Sequence, residues 1–455
     1  MLSLMLSSCG ETSTNGACRG QTDCGGVCAD LDSDSNHCGM CGFVCPSQSC
    51  SNGSCVQIDV GGVGSTGAGG ANGAVGAVGA GGVATASGVG AGGVSSSGAV
   101  NGAGGAASGV GGTGGGAMSS AWHGAVATAL TESVLENEYI AWKGKYAAAC
   151  PDGSWVVIKD GSIATGGGLV SEGIAYGMLL SAAFDDREAF DGLWRYYNDH
   201  LDENGLMNWA TGLCDAPGNN MANAATDADL DAAMALLQAA VRWPDGTYLG
   251  DAEALGQRIL AHETDECGGL VVLLPGDAWG GCNDSDTRIN PSYFAPGYYR
   301  VFARRFPAQA AAWNALLEDS YTLYASYQAT SPLVPDWDNS PYGDEAGPDN
   351  YWWDACRTPW RVAVDYGLSE DGRATAFLGS VSAWVEANGG IGSPAGKPNN
   401  SAFNGAFALT GIADQAKLDA YVSSWLGSGG DDSLYFQATL RVLYLTVAGG
   451  RFTVP

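Results

Sequence analysis

The sequence predicts an all-α fold for its larger part, a closed ring of helical hairpins, behind a small cross-linked module and a flexible tether. Three observations predict it. Helical periodicity recurs about twelve times between Ser119 and Pro455, with no strand–helix alternation and no runs of Val and Ile. Eight cysteines are packed between Cys18 and Cys55. Most of the excess among 71 glycines lies between Gly61 and Gly116. A chain of 455 residues has room for one large domain and these extras.

Residues 1–17 open with a short apolar segment ending Leu6-Ser7-Ser8-Cys9. That tetrapeptide resembles a bacterial lipobox, which implies lipidation of Cys9. The segment is shorter than a working signal peptide and lacks a basic start, as a start codon placed too far downstream would explain. A chance cysteine near a terminus is the alternative.

Residues 18–58 form the cross-linked module, with cysteines at 18, 24, 28, 38, 41, 45, 50 and 55. An even count at this density means disulfides in place of an apolar core. Zinc is the alternative, because Cys38 and Cys41 have ligand spacing. Asp30, Asp32 and Asp34 hint at a calcium loop, but its Gly and Glu are missing. The module resembles the short Cys/Gly-rich repeats near the start of myxobacterial surface proteins, which implies location more than activity. Residues 59–118 follow, and from Val60 to Ala117 there is neither a charge nor an aromatic side chain. No core face can be drawn there, so the segment is a flexible tether.

From 119 to 455 the composition is globular, with helices expected to start near residues 121, 171, 187, 227, 249, 291, 308, 355, 371, 413 and 432, and a further one near 400. A ring of helical hairpins gathers one set of helix N-termini at a common face, where a cleft can form. Three stretches would carry chemistry there. In Ala225-Thr226-Asp227-Ala228-Asp229-Leu230-Asp231, Thr226 is an N-cap candidate and Asp227 and Asp229 sit in a favourable first turn. Leu230, Ala233, Leu237 and Val241 would form the buried face. An ordinary capped core helix explains one Asp; the surplus suggests a sugar-binding or catalytic acid cluster. In Ser171-Glu172-Gly173-Ile174-Ala175-Tyr176-Gly177, Ser171 can cap and Glu172 lies in the first turn. Glu172 could merely stabilise the dipole, whereas Gly173 and Gly177 leave backbone bare for a ligand. In Tyr351-Trp352-Trp353-Asp354-Ala355-Cys356-Arg357, Asp354 and Arg357 share a helical face, so the Arg can hold Asp354 ionised as a general base requires. A structural ion pair is the bland alternative. Trp209 and Trp279, on Gly-rich turns, are candidate stacking platforms.

Composition narrows the class. A formal charge of −29 with only 19 Lys and Arg argues against nucleic acid or an anionic membrane. Histidines 37, 123, 200 and 262 are too dispersed for a local metal motif, and no Gly-x-Ser-x-Gly elbow supports a serine triad. Fourteen Trp and eighteen Tyr, beside many carboxylates, suit sugar rings.

The segment Ala225 to Trp243 resembles the signature of glycoside hydrolase family 8, with Ala232 where the family carries a larger aliphatic residue. Ser171-Glu172-Gly173, Asn290 to Tyr299, Asp354-Ala355-Cys356-Arg357, Phe403 to Ala408 and Tyr435 to Leu445 also resemble that family, in its order. The resemblance implies an (α/α)6 barrel over 119–455 and inverting, endo-acting hydrolysis of β-1,4-linked polysaccharide. It implies Glu172 as general acid, Asp354 as general base and Asp227 as the acid holding the sugar at the cleavage point. Arg357, Trp209, Trp279 and Tyr293 match substrate-binding positions, and Asp229 joins them as a substrate-binding candidate. No metal and no cofactor is needed. A cellulase-type endoglucanase is expected, with xylanase, lichenase and chitosanase open; Asp354 argues modestly against the chitosan branch. The rival classes are an inactive surface carbohydrate-binding protein and a periplasmic glucanase serving cellulose synthesis.

The expected partner is a polysaccharide, with no nucleic acid, no membrane-spanning segment, a possible lipid anchor and a monomeric state, at the cell exterior. Of the five later cysteines, Cys267 with Cys282 and Cys150 with Cys214 are plausible bridges, leaving Cys356 as a buried free thiol.

Overall fold

The helical periodicity resolves into six inner and six outer helices in the computed structural model, which describes residues 22–23, 28–30, 33, 50–51, 54–55, 122–215, 223–282, 288–338 and 350–455. Cys9, the segment 1–17, the tether, Asp32, Asp34 and Cys18, Cys24, Cys38, Cys41 and Cys45 lie outside the described residues, as do the side chains of Cys28, Cys50 and Cys55. The chain divides into two units, Met1–Gly109 and Val110–Pro455. In the first, β1 (Thr22–Asp23) pairs with β2 (Cys28–Ala29), and β3 (Cys50–Ser51) with β4 (Ser54–Cys55), both antiparallel.

In the second unit the inner helices are α2 (Ser171–Ala183), α4 (Thr226–Arg242), α6 (Pro296–Arg305), α8 (Thr358–Ser369), α10 (Ser401–Leu409) and α12 (Tyr435–Ala448). The outer helices are α1 (Glu132–Tyr146), α3 (Arg187–Asp199), α5 (Tyr248–His262), α7 (Ala310–Gln328), α9 (Gly372–Ala387) and α11 (Gln415–Leu426); the first five inner helices each pack on the outer helix that follows in sequence, and α12 packs on α1. Contacts of α12 with α2 close the ring, giving an (α/α)6 barrel. Outer helices bury one stripe, as in α3 with Phe190, Leu193, Tyr196 and Tyr197. Inner helices have neighbours on both sides. Every residue of α10 is buried, and every residue of α2 except Glu172. No helix among the described residues is long and apolar enough to cross a membrane.

The boundaries follow local chemistry. Asp186, Asp414 and Asn400 cap α3, α11 and α10 by accepting backbone N–H bonds. Four expectations need correction. No helix starts near 121: the chain runs extended there, with His123, Ala125 and Ala127 N–H bonded to the carbonyls of Gly367, Ile412 and Ala448. The first helix waits for Thr131, whose hydroxyl accepts from Val134 N. Near 291 and 355 only 3₁₀ turns form (Pro291–Tyr293 and Ala355–Arg357), and the α-helices begin at Pro296, which suits a first helical position, and at Thr358. Thr226 and Ser171 are not caps but the first helical residues, because Ala225 and Val170 are the last extended ones. Val241 is 46% exposed; Asp227, Asp229 and Asp231 are buried instead, since an inner helix is enclosed on every side near its N-terminus.

Short antiparallel hairpins sit in the loops: β5 (Ala147–Ala149) with β6 (Trp155–Val157), β7 (Gly168–Val170) with β8 (Ala210–Gly212), and β9 (Thr264–Cys267) with β10 (Leu270–Leu273). The β7–β8 pair leads directly into α2 and carries Trp209 at its edge, with Ser171 N donating to Trp209 O at 2.9 Å. Disulfides Cys150–Cys214 and Cys267–Cys282 pin these loops, and Cys356 is a buried free thiol.

Candidate active site

Glu172 and Asp227 each occupy the second position of an inner helix, α2 and α4, so both carboxylates reach one end of the barrel. The 3₁₀ turn before α8 brings Arg357 between them. Its Nη1 donates to Glu172 Oε2 at 2.8 Å and to Asp227 Oδ2 at 2.7 Å. Its Nη2 donates to Asp354 Oδ1 at 2.8 Å and to Ser292 Oγ at 3.1 Å. One buried guanidinium thus organises three carboxylates, a task that needs the planar fork of Arg. The ring of Tyr293 lies 5.2 Å from this guanidinium. A parallel pair one turn on, Arg361 with Asp231, locks α8 to α4.

The three carboxylates are not equivalent. Glu172 is raised from 4.5 to about 7, chiefly because burial penalises its charge; Arg357 pulls it down, while Asp227 and Asp354 push it up. Tyr435 donates its hydroxyl to Glu172 Oε1 at 3.2 Å. Gly173 makes that bond possible, since a Cβ there would lie 2.7 Å from the Tyr435 hydroxyl oxygen. Asp227 is also raised by burial, with Arg357 opposing. Asp354 is the most exposed of the three, and every hydrogen-bond partner described for its carboxyl is a donor. Asn290 Nδ2 gives to Oδ1 at 3.0 Å, and Trp337 Nε1 to Oδ2 at 3.2 Å.

Two cavities meet at Glu172. One, of about 510 Å³, is lined by Trp353, Asp354, Arg357, Leu434 and Phe436. The other, of about 290 Å³, is lined by Trp209, Asp227, Tyr293 and Val170. Glu172, Lys159, Tyr435 and Phe436 border both, so the Glu172 carboxyl stands at the middle of one groove.

Of the residues singled out in the sequence, Glu172, Asp227, Asp354, Arg357 and Tyr293 come together, and Trp209 stands 46% exposed at the groove wall. Trp279 is stacked on Trp337, ring centroids 5.5 Å apart, so one of its faces is occupied by protein. Asp229 is corrected. It is fully buried, with Tyr197 donating its hydroxyl to Oδ1, and it lines neither cavity of the groove. Two residues along a helix from Asp227 point the opposite way. Gly177 is corrected too: it admits Val157 and Leu193, not a ligand. Asn290, Trp337, Tyr435 and Glu263 had no role in the sequence reading. Asn290 and Tyr435 open the segments Asn290 to Tyr299 and Tyr435 to Leu445; Trp337 and Glu263 carry no local signal.

Glu263 follows α5 and is fully buried beside Asp229, each carboxyl acting on the proton affinity of the other. Tyr197, Thr226, Asp202 and Asp277 surround the pair, without a cation among them. Asp229 is raised from 3.8 to about 7 and Glu263 well above its ordinary value, both by burial first. The fold therefore holds a proton that the unfolded chain releases, and its stabilisation is full below the unfolded values and lost as pH rises through about 7. Thermal melts of the full chain from about pH 5 to about pH 8.5 should show Tm falling already from the acid end of that range and on through about 7, and Glu263→Gln should flatten that fall. An equally steep fall in the variant would remove the pair as its cause.

Known proteins resemble this chain in sequence and in fold. The family model described as glycosyl hydrolases family 8 matches residues 117–449. Endoglucanase A of Acetivibrio thermocellus is 32% identical over 348 residues, covering 71% of this chain and 70% of that protein. Endoglucanase C of Ruminiclostridium cellulolyticum is 30% identical, covering 72% and 73%. Among solved structures, the apo β-1,3-1,4-glucanase from Paenibacillus sp. X4 superposes with a TM-score of 0.60 at 23% identity, over 73% of this chain and 97% of that one. An endo-β-1,4-glucanase from Acetobacter xylinum gives 0.54 at 22% identity, over 70% and 99%. At these identities the two structures speak to the fold alone.

Proposed function

The chain belongs to glycosyl hydrolases family 8, and we propose that it is an inverting endo-β-1,4-glucanase acting on cellulose or a related β-glucan. The observation that carries the reading is the placing of Glu172 and Asp354 on opposite nitrogens of one buried Arg357, with a groove running past both. In the reaction, Glu172 gives its proton to the glycosidic oxygen as the bond to the anomeric carbon breaks. Asp354 takes a proton from a water whose oxygen attacks that carbon from the opposite side. Inversion needs the two carboxyls far enough apart to admit the water, and the guanidinium between them keeps them apart. Asp227, tied to the same Arg357, holds the sugar at the cleavage point. Trp209 and Tyr293 line the groove on the Asp227 side, and Trp353, Leu434 and Phe436 on the other. Their apolar faces suit the C–H faces of sugar rings.

Lipidation at Cys9 and the myxobacterial-type module with its tether would hold a monomeric catalytic unit at the outer surface of the cell. The paired cysteines Cys150–Cys214 and Cys267–Cys282 suit such an oxidising location.

Reducing-sugar release by the full chain on carboxymethyl-cellulose, lichenan, xylan and chitosan tests substrate class. Release should be highest on one of the two glucans, with the α-anomer appearing first by NMR. On that polymer kcat/KM should fall as pH rises through about 7, because Glu172 must enter the reaction protonated. A β-anomer as first product, or silence on all four polymers, would refute the reading.

A further inference from the structure

Asp354 has two oxygens in different surroundings. Oδ1 accepts from Arg357 Nη2 and from Asn290 Nδ2. Oδ2 has one protein donor among the described residues, the indole N–H of Trp337. Oδ2 therefore keeps a lone pair that Oδ1 does not, and it is the oxygen able to take a proton from water.

The loop carrying Trp337 is fixed on both sides. Asp336 Oδ1 accepts from Trp352 N and Ala355 N, both at 2.8 Å, and so clamps the turn on which Asp354 stands. Asp338 exchanges two backbone hydrogen bonds of 3.0 Å with Ile289, next to Asn290. Its Oδ2 accepts from Tyr327 Oη at 2.7 Å, anchoring the loop to α7. The indole itself is stacked on Trp279, with Tyr293 edge-on at 6.5 Å. Few rotations remain to it, so its N–H is aimed and not merely near.

We propose that Trp337 is the positioning residue of the base: its indole N–H fixes the orientation of the Asp354 carboxyl and leaves Oδ2 as the oxygen that receives the proton of the attacking water. The inference rests on the reading of Asp354 as general base. Arg357, Asp336, Glu172, Tyr293 and Cys356 are the charged or titratable groups that act on Asp354. Tyr293 and the Arg288 guanidinium also lie against the Trp337 ring, at 6.5 and 5.2 Å, so a replacement that keeps the bicyclic ring is needed to leave them in place.

The test is kinetics of the full chain with Trp337→Phe, and with Trp337 replaced by benzothienylalanine, which keeps the bicyclic ring and deletes the N–H. A donor lost from a carboxylate raises its proton affinity, so the base protonates at higher pH. Both variants should lose about tenfold in kcat, hold KM within about twofold, and move the acid limb of the pH profile upward. The limb set by Glu172 should stay in place. If Phe at this position unsettles the fold, the isostere decides alone. An unmoved acid limb, with the loss confined to KM, would make Trp337 a wall of the groove and overturn the proposal. Asp354→Asn measured alongside separates the two failures: if that variant keeps its activity, the assignment of the base fails whatever Trp337 does.

Discussion

Asp354→Asn is expected to lower kcat/KM on the preferred glucan by about 10²–10⁴-fold while leaving oligosaccharide binding within a few-fold. The amide retains the shape of the side chain and can still accept from Arg357 or Asn290 through its oxygen. It cannot take a proton from water. The loss should therefore fall on kcat, because the interaction removed is one made only in the transition state. Initial rates and calorimetric titration with a cello-oligosaccharide check both halves. Substantial residual turnover would mean that another group activates water, and would send the search for a base back to the remaining carboxylates of the groove. Loss of binding with unchanged kcat would instead make Asp354 a sugar ligand.

Arg357→Met should have a comparable effect on activity and a larger one on the fold. Arg357 is 2% exposed and is the cation shared by Glu172, Asp227 and Asp354. Removing one partner of a buried ion network leaves uncompensated charge, at a cost of about 3–5 kcal/mol. Glu172 and Asp227 are already raised by burial, and Arg357 is what opposes that rise in both. Without it they would hold their protons to higher pH, so the variant is least destabilised in acid and increasingly destabilised as pH rises. Denaturant unfolding at about pH 5 and about pH 8 should show the larger loss at the higher value. Equal losses at both would reduce Arg357 to a packing residue. Arg357→Lys should not rescue activity, since one ammonium cannot span contacts that Arg divides between Nη1 and Nη2.

What the sequence by itself determined is local. Helical spacing and Gly-rich turns located helix starts to within a few residues where a polar cap stands in the structure, as at Asp186 and Asp414. A carboxylate in the first helical turn marked Glu172 and Asp227, and the i,i+3 spacing joined Asp354 to Arg357, which do share a hydrogen bond of 2.8 Å. These signals lie within one or two turns of chain, where spacing alone fixes which side chains are neighbours. The tertiary structure decided whatever depends on closing the ring. Asp227 and Asp229 read alike in sequence, yet only enclosure of α4 on both sides assigns one to the groove and the other to a buried pair with Glu263. The same holds for Trp337: it is 17 residues from Asp354 in sequence and meets it because Asp336 and Asp338 anchor its loop to two distant segments. Arg357, 185 residues from Glu172 and 130 from Asp227, could be paired with Asp354 from spacing, but its hold on the other two acids exists only once α2, α4 and α8 converge at one end of the barrel.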